Sequence, residues 1–233
     1  MSQERTEGVV LRAVDFGDTS RIVTFLTPDR GRLACLAAGM KRPKSELAGQ
    51  LDTFNRVELV YYWKDSRSVQ KLGTVSLLDN AAGIKADLDK SVYGAVPLEV
   101  AYKVAHENEP SEELYRRLAA GLVSLAGWRG SVVTHCCWQV MRLLQAAGFE
   151  PNLDDGPASR TVSFTYESGV TASAGDVRLN NADLTALREL AASKTCPVRE
   201  VSGKVFSVLT RYASHQLEAS FRSVRVVQEM YAT

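Results

Sequence analysis

The spacing of apolar residues changes once along this chain, and that change limits the fold more than any other feature. Up to about residue 78 the pattern has period two: Val57, Leu59, Tyr61 and Trp63 share one side of an extended run. From about residue 84 it has a helical period: Val92, Val96, Val100 and Val104 recur every four residues, then Leu114, Leu118, Leu122 and Leu125. The expected class is therefore α+β, with a sheet first and helices after it. With 233 residues, 45% of them hydrophobic, the chain can bury one large core or two to three smaller ones.

The first part reads as five strands: 7–14, 20–27, 31–38, 54–63 and 68–78. Asp15-Phe16-Gly17-Asp18 and Pro28-Asp29-Arg30-Gly31 are hairpin turns between the first three. Five strands in so short a span suggest a small closed β-barrel, and the long connector at 39–53 suits the helix that an OB-fold carries between its third and fourth strands. In the second part, Ser111 behind Pro110 is a candidate N-cap, and Gly148 with Pro151 ends the run from Val132 to Ala147. Residues 152–180 break the helical pattern with turn residues and two β-like runs, 161–166 and 170–173, which read as an inserted β-hairpin. Helical spacing resumes with Leu184, Leu187 and Leu190, then with Val198, Val201, Val205, Leu209 and Tyr212. The expected organisation is an OB-fold domain over 1–80, a helical domain over 81–150, the hairpin over 151–180, and C-terminal helices over 181–233 that pack with the helical domain.

Charge is balanced over the whole chain, at net +1, but not locally. Residues 12–44 hold seven cations, Arg12, Arg21, Arg30, Arg32, Lys41, Arg42 and Lys44, against three acids, Asp15, Asp18 and Asp29. Three of the cations surround Pro43 in a loop, where Arg42 can grip a phosphate through two N–H groups and Lys41 and Lys44 act as point charges. These seven are the candidate DNA-binding residues. Phe16, Phe25, Tyr61, Tyr62 and Trp63 are candidates for stacking on bases, Tyr62 being the one expected to be exposed.

Catalytic motifs are missing: there is no G-x-S-x-G, no P-loop and no H-E-x-x-H, so no enzyme activity and no cofactor are expected. Cys35, Cys136, Cys137 and Cys196 form no C-x-x-C pair and read as reduced, buried side chains that bind no metal. No apolar run approaches the roughly 20 residues of a membrane span, and the polar start MSQERTEG has no signal core, so a cytoplasmic location is expected, which the family resemblance below narrows to the nucleoid.

The order of these parts resembles a known family. Glu7-Gly8-Val9-Val10-Leu11-Arg12, Phe25 to Leu33 and Ala38-Gly39-Met40-Lys41-Arg42-Pro43-Lys44-Ser45 are similar to the start of the bacterial recombination mediator RecO family, and Arg142 to Leu153 resembles that family's helix leading into its zinc element. His215 to Arg225 looks like its closing helical segment. The chain departs from many members in having no cysteines after Gly148 at the zinc positions; Leu153 to Arg160 and Ser168 to Gly175 offer none. The hairpin must then be held by packing of Val162, Phe164, Tyr166 and Val170. The resemblance implies a non-enzymatic recombination mediator in DNA repair that binds single- and double-stranded DNA and anneals complementary strands. It further implies that, with RecR, the protein helps load RecA onto strands coated with single-stranded DNA-binding protein (SSB). A site for the acidic C-terminal tail of SSB is expected at Arg129, Arg142 and Trp138. The alternative is a protein-interaction scaffold whose barrel is structural.

Overall fold

The computed structural model describes residues 2–154 and 161–231, so 155–160 of the expected break after Asn152 lie outside the described residues. Five strands come first: β1 (Ser2–Phe16), β2 (Ser20–Thr27), β3 (Gly31–Ala37), β4 (Arg56–Trp63) and β5 (Val69–Asp79). A short helix α1 (Glu46–Gln50) lies between β3 and β4. The strands pair in the closed cycle β1-β2-β3-β5-β4, all antiparallel except β3 with β5. The length of β1 makes the closure possible. Its first half, Ser2 to Val9, pairs with β4, and its second half, Val9 to Phe16, pairs with β2, with a bulge between Val10 and Arg12 that bends the strand from one partner to the other. Gly8 stands at this exchange, where a Cβ would lie 3.2 Å from both Leu59 and Phe25.

The alternation along β4 faces the core, with Val57, Leu59 and Tyr61 at most 1% exposed and Trp63 partly buried against them, and Val23, Phe25 and Cys35 from β2 and β3, equally buried, complete it. Each such side chain contributes about 1.5–3 kcal/mol through removal from water. Met40 and Leu51, on either side of α1, close one end of this core. β1 begins five residues before the expected start. The polar segment Ser2 to Glu7 has no apolar face to betray a strand, and it forms one because its backbone pairs with β4 and its charges find partners, such as Arg5 with Glu58.

The helices are α2 (Ala82–Lys85), α3 (Leu88–Val104), α4 (Glu112–Gly127), α5 (Val132–Ala146), α6 (Asn181–Ala192), α7 (Gly203–Gln216) and α8 (Arg222–Tyr231). Contacts divide the chain into two compact units: 1–86 with 105–126, and 87–104 with 127–233. Most of α4 thus belongs with the sheet, and α3 with the other helices. Within the first unit, the Ser111 hydroxyl donates back to the Glu109 carbonyl, while its backbone N–H donates to Pro28 O at 2.8 Å.

In the second unit α5 is the central helix, buried from Thr134 through Met141 and started by Ser131, whose Oγ accepts from Thr134 N at 3.2 Å. The two expected β-runs, β6 (Thr161–Thr165) and β7 (Gly169–Thr171), are joined by a third strand, β8 (Val177–Asn180), in the order β7-β6-β8. The hairpin is therefore a three-stranded sheet; Val177 to Asn180 is too short and too polar to signal a strand, and Asn180 then caps α6 through Asp183 N at 2.8 Å. Val162, Phe164 and Val170 are buried, with the Phe164 ring edge-on to Tyr212 at 5.9 Å and to the half-buried Tyr166 at 6.4 Å. Two helical expectations shift. Val198 and Val201 precede α7, whose cap is Ser202, and the chain between His215 and Arg225 is broken at 217–221 before α8 begins.

Candidate nucleic-acid interface

The basic loop follows β3 as two consecutive turns, with Arg42 N donating to Gly39 O (3.0 Å) and Ser45 N to Arg42 O (3.1 Å). Gly39 has φ +73, a conformation that favours glycine, and the Arg42 side chain lies across it, its Cδ 3.4 Å from where a Cβ would stand. The loop is pinned to the β1–β2 turn by Lys41 N donating to Thr19 O at 2.9 Å, and by the buried Met40. The tips of two connections thus form one surface.

Asp15 accepts from Lys41 Nζ at 2.9 Å and from Arg21 Nε at 2.8 Å. Those two hydrogen bonds, Lys41's first, hold its carboxyl below the usual aspartate range. One acid thus answers two cations there. Arg42 and Lys44 are exposed and have no carboxylate partner among the described residues. With Asp18 in the adjoining turn, the two connections up to Ser45 and the start of β2 place Arg21, Lys41, Arg42 and Lys44 with Asp15 and Asp18, and Glu46 follows at the start of α1.

An outward-facing band starts from the same end. Arg12, Val14 and Phe16 alternate on one side of β1, with Val14 51% and Phe16 54% exposed. The register continues the band from Val14 to Ile22, to Leu36, to Lys71 and to Tyr62 across all five strands. Lys71 Nζ lies 5.8 Å from the centre of the Tyr62 ring. Lys71 was not among the expected binding residues, because only the parallel β3–β5 pairing brings it beside Leu36. Of the aromatic candidates, Phe25 and Tyr61 are core, Tyr62 and Trp63 are half-buried, and Phe16 is the most exposed.

Arg30 and Arg32 sit at the other end of the sheet, beside the β2–β3 turn. The Arg30 guanidinium spans both carboxylate oxygens of Glu4, at 3.0 and 2.9 Å, and lies 4.2 Å over the Trp63 ring. Glu4 also accepts from the buried Tyr61 hydroxyl at 2.8 Å. Arg32 reaches Glu107 at 3.3 Å, and its backbone N–H donates to His106 O. Four of the seven candidates, Arg21, Lys41, Arg42 and Lys44, therefore gather in one place, Arg12 stands on the band beside them, and Arg30 and Arg32 do not join them. Distance along the sequence hides the acids that engage Arg30 and Arg32.

Burial raises the Glu4 carboxyl, but the hydrogen bonds from Tyr61 and Arg30 outweigh it and bring the value below the ordinary 4.5. Its contribution to stability is thus complete above pH 4.5 and lost as pH falls through the lower folded value. Glu4→Gln is expected to cost about 1–2 kcal/mol in urea titration at pH 7, and less as the pH is lowered and the wild-type carboxylate takes up its proton, while leaving nucleic-acid affinity at the basic loop unchanged.

The expected tail-binding trio divides as well. Arg129 is exposed in the connector before α5, and Arg142 is half-buried on α5. Trp138 is 7% exposed, donates its N–H to Ser193 O at 3.1 Å, and packs on the buried His135 ring at a centroid separation of 5.3 Å, with the half-buried Trp128 5.5 Å from that ring. Trp138 is therefore a core residue. All four cysteines are buried and free, and burial pushes the Cys35 and Cys196 thiols up to about 12. Among the described residues, no group of His, Cys, Asp and Glu could hold a metal ion, and no helix is long and apolar enough to cross a membrane.

Residues 1–81 match the family model described as recombination protein O N terminal, and 85–225 the one described as recombination protein O C terminal. Curated relatives include the DNA repair protein RecO of Streptomyces griseus, 31% identical over 98% of this chain and 100% of that protein, and of Streptomyces avermitilis, 30% identical over the same shares. That of Prosthecochloris aestuarii is 28% identical over 80% of this chain and 76% of its own length. With both halves of the chain matched in order, it belongs to the recombination protein O family of DNA repair and recombination proteins.

Proposed function

We propose that the protein is a DNA-binding recombination mediator that holds strands by their phosphates on an OB-type barrel. The barrel assignment is supported by the strand cycle β1-β2-β3-β5-β4, the parallel β3–β5 pair and the helix between β3 and β4. The observation that carries the function is the pair of unneutralised cations, Arg42 and Lys44, on a loop fixed beside the exposed Phe16. Cations there can neutralise backbone charge, and Phe16, Ile22 and Tyr62 can meet unpaired bases. Both single and double strands fit the charge; only a single strand can use the aromatic band.

Such binding leaves base edges free, so complementary strands can anneal without covalent chemistry or a cofactor. By family, the protein would act with RecR to replace SSB by RecA on single-stranded DNA, working at the nucleoid in the cytoplasm. Arg129 and Arg142 remain the proposed contacts for the acidic tail of SSB, with Trp138 supporting the helix beneath them.

Fluorescence anisotropy of labelled oligothymidine over a salt series tests the reading. Wild type should show steep salt dependence, and changing Lys41, Arg42 and Lys44 to Ala should flatten the log–log slope by about two counterions, with Arg42→Ala and Lys44→Ala together giving most of it. Lys41→Ala should add less than either of the others, since Asp15, shared with Arg21, offsets part of that charge. A slope unchanged in the triple variant removes the loop from the site. Salt-insensitive or absent binding in wild type favours the protein scaffold instead.

A further inference from the structure

A second concentration of arginine lies in the helical unit, far along the sequence from the basic loop. A cleft of about 490 Å³ opens between α7 and the start of α8, lined by Arg211, Arg222 and Arg225 together with Thr210, Phe221 and Gln228. All three arginines are exposed. Arg211 and Arg222 have no carboxylate partner among the described residues, and Arg225 meets only Glu229, at 3.8 Å with both side chains more than two-thirds exposed.

The one acid in the lining, Glu99, is already committed. Its carboxylate accepts from Arg222 N (3.1 Å), Ser223 N (2.8 Å) and Ser223 Oγ (2.6 Å), which closes the N-terminus of α8. Its charge is thus turned toward the helix backbone. The cleft keeps an excess of fork-shaped cations with free N–H donors.

We propose that this cleft is a second binding site for the phosphate backbone of a nucleic-acid strand, separate from the basic loop. Arg222 and Arg225 are three residues apart on one helix, so their side chains leave it about 5–6 Å from each other, a separation close to that of successive phosphates on a strand. Arg211 adds a third position from α7. A peptide anchored by apolar side chains is served less well, because the apolar lining is Phe221, 7% exposed, and the half-buried Val224, which together offer little surface to cover. The choice of ligand rests on the nucleic-acid reading above; the site itself does not involve the loop. A protein with two such sites holds two strands at once.

The test uses the full chain with oligothymidine, whose strands cannot pair with one another. One strand is fixed to beads, protein is added, and capture of a second, fluorescent strand is read. Wild type should capture it. The variant Arg211→Ala, Arg222→Ala, Arg225→Ala should lose capture about tenfold, while its single-strand anisotropy titration changes less than about threefold. Replacement of the same three by Lys should restore most of the capture, because the three charges return as flexible point charges and backbone binding depends mainly on charge. Circular dichroism checks that both variants keep their helix content.

Capture unaltered in the alanine variant overturns the cleft while leaving the loop reading intact. Capture lost only when Lys41, Arg42 and Lys44 are changed also overturns it, since two copies joined through some other surface would then supply both strands. Loss of hexaglutamate binding in the alanine variant, with strand capture unaffected, reassigns the cleft to an acidic peptide. Absence of any strand binding by wild type removes both proposals.

Discussion

Gly31→Ala is expected to destabilise the first unit, residues 1–86 with 105–126, by about 3–4 kcal/mol. Gly31 has φ +55, where an L side chain costs about 1–2 kcal/mol. A Cβ there would also lie 2.3 Å from Glu109 O and 2.6 Å from His106 O, so the backbone itself must move. That backbone belongs to the segment laced onto the β2–β3 turn by Arg32 N to His106 O and Ser111 N to Pro28 O. Pushing it away breaks these bonds and the Arg32–Glu107 pair together. Gly17→Ala is the natural control: its φ is +61, but nothing lies within 4 Å of the added carbon, so only the conformational cost of about 1 kcal/mol remains. Urea titration read by far-ultraviolet circular dichroism should separate the two; equal losses would mean that the contact with 106–109 carries no weight.

The second large effect is a pH dependence centred on His135. Burial, aided by the positive Lys90, pushes its pKa down from 6.5 to about 4. Below pH 6.5 the unfolded chain takes up a proton that the folded one refuses, so stability falls with decreasing pH until both forms are protonated below about 4. The loss is about 2 kcal/mol between pH 7 and 5, and about 3 kcal/mol in full. Trp128 and Trp138 flank the ring and report local unfolding through their emission, and a Trp63→Phe background removes the signal of the other unit. In His135→Gln the urea midpoint read at these tryptophans should be nearly level from pH 7 to 5. A midpoint that still falls as steeply in the variant would assign the dependence to other groups.

The sequence made the alternation of Val57, Leu59 and Tyr61 and the four-residue spacing of α3 and α4 legible, because those patterns depend only on which face meets the core. The first strand was partly hidden. Ser2 to Glu7 carries no apolar stripe, and its place is set by Glu4 receiving Arg30 and Tyr61 from residues 26 and 57 positions away. Candidate cations were visible as a cluster but not as free or engaged groups. Lys41 and Arg42 are neighbours of the same charge, yet one faces Asp15 and the other has no acid, a difference that arises only when two connections meet at one end of the sheet. The burial of Trp138 was hidden for a related reason: helical spacing says which residues share a face, not which face the remaining helices cover.

The chain passes between its two units three times, at 86–87, 104–105 and 126–127. A break at residue 80, where the strands end and an ordinary domain boundary would fall, yields a fragment without the stretch that holds the β2–β3 turn. During synthesis the strands must therefore wait for nearly fifty further residues before their unit is whole. In inheritance the consequence is similar: neither half can be exchanged by a single crossover with an unrelated gene, so the two units are bound to change together.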